Sequence, residues 1–338
     1  MNREMNDFNL CSAGRTSTGK GRIVMISTLL VLASQLPVLC FAGKADYHDV
    51  DEFNTAIDAL DGGALGRMTV HFIGTSVEGR PIRALHLAAL GPGGEQFPDN
   101  PRKPALLIEG GIHAREWASA ELCLLFLQAF HLAVLFDPVR IDDILANADI
   151  WVIPMLNPDG RAMDDAAHGD PENFWSSKLY HDNDDSDLSG WRDNTSVVAC
   201  GHFSSGFTKG IDLNRSFSAG WDDPASGADE WLCNDNNYHG EVPFQAREAN
   251  VLRKFVNNRM ISMSLHVHAY KGCVGNRNGY VDIAANFHDV WNAAVPSELT
   301  LTLTSSSSPC TGGGYGQSTA WMADPSDTPF GQFLDHIQ

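Results

Sequence analysis

The stretch from Ala105 to Phe136 limits the fold more than any other part of this chain. A short apolar run, Ala105 to Glu109, passes through Gly111-Ile112-His113-Ala114-Arg115-Glu116-Trp117 into a long helical run, Ala118 to Phe136. A short strand feeding straight into a long helix is a building unit of α/β architecture. The alternation recurs along the chain. Met68 to Ile73, Ile82 to Ala88, Asp149 to Pro154 and Met260 to Val267 read as further strands, and Val50 to Leu60, Asp137 to Asn147, Phe244 to Asn258 and Asn286 to Val295 as further helices. The junction also carries chemistry. His113 and Glu116 stand three residues apart at the opening of a helix, where both side chains project to one side and can meet one ion. Alone, an H-x-x-E pair is a weak signal, because many solvated helix faces carry one by chance.

The chain has 338 residues, 43% of them hydrophobic, which is enough for one large core or two small ones. Nothing repeats and no Gly/Ser or Pro linker divides it, so one domain is expected after the N-terminus. A formal net charge of −19 argues against nucleic acid or an anionic membrane surface as partner. Arg15, Lys20 and Arg22 precede an apolar run from Ile23 to Phe41 that ends in Cys40-Phe41-Ala42-Gly43. This pattern reads as a secretory signal cut after Ala42. Residues 1–42 are therefore expected to be a signal peptide with an N-terminal extension, and residues 43–338 the functional domain, in the extracellular space or a secretory compartment. An uncleaved membrane anchor is the alternative, although Ser27, Ser34, Gln35 and Pro37 interrupt the apolarity. Seven cysteines agree with an oxidising compartment. Cys123, among Leu122, Leu124 and Leu125, reads as a buried structural thiol rather than a nucleophile, and Cys273 with Cys310 as a plausible bridge.

A metal that His113 and Glu116 begin to hold needs a third ligand from a distant part of the chain. Ser264-Leu265-His266-Val267-His268-Ala269-Tyr270 offers two histidines on the same face of one strand, since alternate residues point the same way. Spacing alone leaves His266 and His268 both open.

Tyr47-His48, Glu78-Gly79-Arg80-Pro81-Ile82, the Gly111 to Trp117 segment, Asn157-Pro158-Asp159-Gly160, Trp191-Arg192, Asp212-Leu213-Asn214-Arg215, Tyr238-His239-Gly240 and His268-Ala269-Tyr270 occur in this order. In these landmarks the chain, from about Tyr47 to Trp321, resembles the zinc metallocarboxypeptidases of the carboxypeptidase A/B family. The resemblance implies a mixed, mostly parallel central sheet with helices on both faces. It also implies a Zn²⁺ site of two histidines and a glutamate, for which carboxypeptidase A itself is the standard example. The family's ligand precedes a small residue and a tyrosine, which selects His268 and makes His266 a supporting or packing residue. Arg115, Arg192, Asn214 and Arg215 match the positions with which the family grips a peptide's C-terminal carboxylate, and Arg192 those that polarise the last carbonyl. Guanidinium groups suit that work, being permanently charged and able to hold a carboxylate with two parallel bonds. Tyr315 matches the tyrosine that caps the substrate, and Thr319 the floor of the specificity pocket, where it leans towards neutral side chains. A disulfide between Cys200 and Cys233 is implied in the same way. The partners implied are peptide or protein C-termini, with no nucleic acid, no membrane once the signal is cut, and a monomeric state.

Two departures bear on activity. Between Asn157 and Trp191 the chain is longer than the family's segment and acidic, with Asp164, Asp165, Asp170, Asp182, Asp184, Asp185 and Asp187. This reads as a solvated surface insertion. A calcium loop does not fit, because Asp187 stands where such a loop needs glycine. The family also places a glutamate shortly after the residue matching Trp321, as general base. Residues 322–338 contain no glutamate. Asp335 falls near the expected spacing as a surrogate base, one methylene shorter. The expectation is therefore a C-terminally incomplete metallocarboxypeptidase domain that removes single C-terminal residues. A non-catalytic protein that binds zinc and peptide C-termini is the alternative.

Overall fold

Helix starts in this chain follow from local side-chain chemistry. In the computed structural model, which describes residues 47–168, 210–221, 238–269, 273–275 and 302–304, the first helix is α1, Val50–Asp58. Asp49 caps it by accepting from the backbone N–H groups of Asp51 at 2.9 Å and Glu52 at 2.8 Å, while Glu52 accepts from Asp49 N–H at 3.2 Å. Such a reciprocal cap satisfies backbone donors that the helix itself leaves open. Val50, Phe53 and Ile57 then fall on one buried face.

The strands and helices that follow are β1 Met68–Thr75, β2 Pro81–Leu87, β3 Ala105–Glu109, α2 Trp117–Phe136, α3 Pro138–Asn147, β4 Asp149–Ile153, α4 Pro158–His168, α5 Arg247–Asn257 and β5 Ile261–His266. The ends lie within a few residues of those expected from periodicity. The helix α4 was not foreseen, although its start is legible: Pro158 occupies the first helical position and Asn157 Oδ1 accepts from Gly160 N–H at 3.0 Å. Asp164 and Asp165, read as part of a surface insertion, thus lie on a helix.

The five strands form a mixed sheet in the order β1-β2-β4-β3-β5. The β1–β2 and β2–β4 pairs are antiparallel, and β4–β3 and β3–β5 parallel. A separate parallel pair, β6 Cys273–Gly275 and β7 Thr302–Thr304, makes parallel ladders the majority among the described strands. One face of the main sheet packs Ile82, Leu107, Trp151 and Ile153 against Leu252, Phe255 and Val256 of α5. The other packs Leu85, Leu87, Ile108 and Val152 against Phe53 and Ile57 of α1, Leu124, Leu127 and Phe130 of α2, and Leu145 of α3. On β4 the two faces alternate residue by residue, as a strand must. On β5 the parity changes: Ile261 joins the first cluster, while Leu265 and Val267 pack on the second. A register shift between the Ala105–Ile261 and Leu106–Met263 pairs accounts for it. Each fully buried Leu or Phe contributes about 1.5–3 kcal/mol, so this two-sided burial is the main stabilising term.

Beneath the start of β4 the core is polar. Asp149 is buried and its carboxylate meets Lys103 Nζ at 2.6 Å and His86 Nε2 at 3.0 Å, with the His86 ring stacked on Trp151 at 4.2 Å. Burial works to raise the Asp149 pKa, but the hydrogen bonds and charges of His86 and Lys103 outweigh it and hold the carboxyl below its ordinary value. A depressed folded pKa stabilises the fold above the ordinary carboxylate range, and that stabilisation is lost as pH falls through the folded value. Asp149→Ala strands a lysine and an imidazole in the core, and is expected to cost about 3 kcal/mol in urea unfolding near neutral pH. Asp149→Asn should flatten the loss of stability that the parent shows below about pH 4.

Candidate metal centre

The turn leaving β3 is over-determined by packing. Gly110 N–H donates to Ile153 O at 2.9 Å, and the carbonyls of Gly110 and Gly111 accept from Leu156 N–H and Asn157 N–H at 3.2 and 2.9 Å. Gly111 sits at φ +62, and a Cβ there would lie 3.0 Å from Met155 Cα, so glycine is required. A Cβ on Gly110 would lie 2.6 Å from Ser119 O, which is how closely α2 approaches. Ser119 Oγ accepts from Gly111 N–H at 3.0 Å and donates to Glu116 O at 2.6 Å, tying the turn to the first turn of α2.

Glu116 holds the N-cap position of α2, but its carboxylate does not cap the helix. It turns instead to two imidazoles. Glu116 Oε1 lies 2.8 Å from His113 Nδ1, and Oε2 lies 2.9 Å from His268 Nδ1 and accepts from Ala269 N–H at 3.2 Å. The His113 and His268 rings stand 4.9 Å apart, tilted by 43°. Burial works to raise the Glu116 pKa, but the charge and hydrogen bond of His113, and then those of His268, hold it well below the ordinary range. His113 is 3% exposed and the His268 side chain 36%, so the group opens on the His268 side.

One ligand atom from each of the three side chains lies within 4.8 Å of the others, the only such group of His, Cys, Asp and Glu side chains among the described residues. The donor set suits zinc, which takes imidazole nitrogen and carboxylate oxygen at about 2.0–2.2 Å. The surroundings fit as well. The far nitrogen of His113, Nε2, lies 3.3 Å from Oδ1 of the fully buried Asp212. A carboxylate behind an imidazole fixes its orientation and tautomer, leaving the near nitrogen for a cation.

Asp212 also joins this centre to the expected substrate side. Its backbone N–H donates to Tyr238 O at 2.8 Å, and Oδ1 accepts from Asn214 N–H at 2.9 Å, which caps the short 3₁₀ turn Leu213–Arg215. Asn214 is buried, and Arg215, half-buried, donates from Nη1 to Asn214 O at 3.0 Å. Arg115 is half-buried between His113 and Glu116 in the chain. His266 goes elsewhere, its Nδ1 meeting Glu109 Oε2 at 2.7 Å. Arg192, Tyr315, Thr319, Asp335, Cys200, Cys233 and the segment 1–42 lie outside the described residues. Of the described cysteines whose surroundings are defined, Cys123 is buried and free, with its thiol pKa pushed up by burial and by Glu109.

Two further supports escaped the sequence reading. Asp212 was visible only as part of a motif, although an aspartate two residues before an asparagine is a common turn cap. Glu121, buried in α2, accepts from His48 N–H at 2.9 Å and meets its ring nitrogen at 3.0 Å. Arg161 of α4 stacks over Trp117 at 3.5 Å and donates to His48 O, so the Tyr47-His48 segment is clamped beside Trp117.

The family model described as zinc carboxypeptidase matches residues 54–282. Carboxypeptidase B of Astacus astacus is 31% identical over 228 residues, covering 65% of this chain and 61% of its own length. The inactive metallocarboxypeptidase of Saccharomyces cerevisiae is 31% identical over 216 residues, covering 63% of this chain and 41% of its own. The chain thus spans less than two thirds of either relative. In fold, carboxypeptidase A from Helicoverpa armigera superposes with a TM-score of 0.60 at 20% identity, over 92% of this chain and 70% of that one. Bovine thrombin-activatable fibrinolysis inhibitor does so with 0.58 at 21% identity, over 83% of each.

Proposed function

The chain belongs to the zinc carboxypeptidase family, and from that premise we propose that it is a secreted metallocarboxypeptidase that removes single residues from peptide C-termini. The observation that carries the proposal is the convergence of His113, Glu116 and His268 from two distant parts of the chain. These three would hold Zn²⁺. When bound, the ion supplies a positive charge that polarises the scissile carbonyl and the attacking water. The Asp212 carboxylate, 3.3 Å behind His113 Nε2, would favour the imidazole orientation in which Nδ1 faces the ion. Glu116 brings a carboxylate already ionised at neutral pH, so no proton need be lost from it. Arg115, Arg192, Asn214 and Arg215 would bind the terminal carboxylate, with Arg192 polarising the last carbonyl, Tyr315 over the substrate and Thr319 at the pocket floor. Residues 1–42 would direct export, and Cys200–Cys233 would brace the loop that presents Asn214 and Arg215.

A second reading, a protein that binds zinc and peptide C-termini without turnover, is supported by aspartate rather than glutamate at position 335 and by likeness to a relative described as inactive. Turnover separates the two. In an assay of blocked dipeptides with zinc added, the enzyme reading expects release of the terminal residue and a fall of about 10²- to 10⁴-fold on Asp335→Ala. Zinc binding with no hydrolysis in the parent would favour the second reading.

A further inference from the structure

Below the metal centre lies a buried contact that the proposed chemistry does not use. Glu109 and His266 form the last rung of the parallel β3–β5 ladder. Their side chains meet at 2.7 Å, Nδ1 to Oε2, and are 1% and 5% exposed. The next main-chain bond runs from Val267 N–H to Glu109 O at 2.8 Å. Glu109 therefore holds the end of β5 twice, through its backbone and through its side chain.

Both partners stand at the roots of the ligand-bearing segments. Glu109 ends β3 four residues before His113, and His266 ends β5 two residues before His268. Neither link has slack. The Gly110-Gly111 turn is pinned to the strand β4 side by three backbone hydrogen bonds, and beyond His266 the chain reaches Glu116 Oε2 through Ala269 N–H within three residues. A displacement at the Glu109–His266 rung is passed on to the gap between His113 and His268.

Stability is a poor reason for such a pair. Taking a carboxylate and an imidazole out of water costs several kcal/mol, and apolar residues of similar volume often serve a core as well or better. Beyond that 2.7 Å ion-pair contact neither Glu109 oxygen makes a hydrogen bond among the described residues, and a buried polar atom left so costs about 1–3 kcal/mol. We propose that Glu109 and His266 are a positioning pair that sets the separation of the two halves of the zinc site and thereby its affinity. The inference rests on the reading of His113, Glu116 and His268 as that site. Carboxylates and imidazoles that orient ligands from behind change metal affinity by about 10- to 100-fold.

The experiment compares the full-length parent with Glu109→Gln, His266→Gln and the apolar pair Glu109→Leu/His266→Phe. Zinc affinity is read by competition with a chromophoric chelator, and thermal unfolding is followed without metal. All three variants are expected to bind zinc about 10- to 100-fold more weakly, and the apolar pair to unfold at or above the parent's temperature. Weaker binding without lost stability is what a purely structural pair cannot produce. Zinc affinity within about twofold of the parent in the folded variants, against that tenfold floor, overturns the proposal. So does a loss that tracks thermal stability across all three. His268→Ala is run alongside: if it leaves zinc affinity unchanged, the zinc site itself is wrong, whereas loss there with none in the other variants sinks only the positioning pair.

Discussion

Zinc affinity is expected to collapse in His268→Ala and to fall less far in His266→Ala, whose side chain meets Glu109 rather than the metal centre. Binding free energies on the order of 10 kcal/mol, shared among three protein ligands, put each near 3 kcal/mol, or about a hundredfold. His113→Ala and Glu116→Gln should lose as much or more, since Glu116 bridges both imidazoles at 2.8 and 2.9 Å. His266→Ala removes a partner of Glu109 rather than a ligand, so its loss should be smaller than that of His268→Ala. Stoichiometric zinc in purified protein, measured by atomic absorption alongside chelator competition, tests the order. A larger loss from His266→Ala than from His268→Ala would overturn the assignment of His268.

The second large effect concerns the substrate's end. Arg215 and Asn214 sit on a turn whose cap, Asp212, also backs His113, so an anion held by them lies next to the metal centre. Loss of a charge-assisted hydrogen bond from a buried carboxylate costs about 2 kcal/mol. Peptides with a free C-terminus should therefore bind at least about 30-fold more tightly than their C-terminal amides, and Arg215→Ala should erase much of the difference. Calorimetric titration of one peptide in both forms measures this whether or not the protein turns it over. Equal affinity for acid and amide would remove the exopeptidase reading and the binding-protein reading together.

Local order was legible where one short-range pattern dominated. Periodicity placed the strands and helices from α1 to β5 apart from α4, whose residues Pro158–His168 read in sequence only as a landmark and an acidic insertion. Asp159 is in fact a tie across the fold: it accepts from Ser76 Oγ at 2.6 Å, Glu78 N–H at 2.7 Å and Arg80 Nη1 at 2.8 Å, which holds the β1–β2 connection onto α4. No spacing rule announces a contact made over about eighty positions of chain. The same holds for Asp149 with His86 and Lys103, three polar residues that in sequence look like surface groups.

Local sequence pattern was enough to show that a strand runs directly into a long apolar helix, that His113 and Glu116 share the side of that junction, and that His266 lies on another strand; the expectation that His268 lies on it too is not met, because β5 ends at His266. The first three are consequences of backbone geometry within a few residues, where helix and strand periods fix which side chains share a face. The remaining geometry came from long-range packing. Pairing β5 in parallel with β3, in a register that puts His266 opposite Glu109, leaves His268 to reach Glu116 across 152 positions of chain. It also brings Asp212 against His113. The physical reason is that strand order and register are set by the burial of two opposite faces of the whole sheet, a sum over many distant side chains that no local window contains.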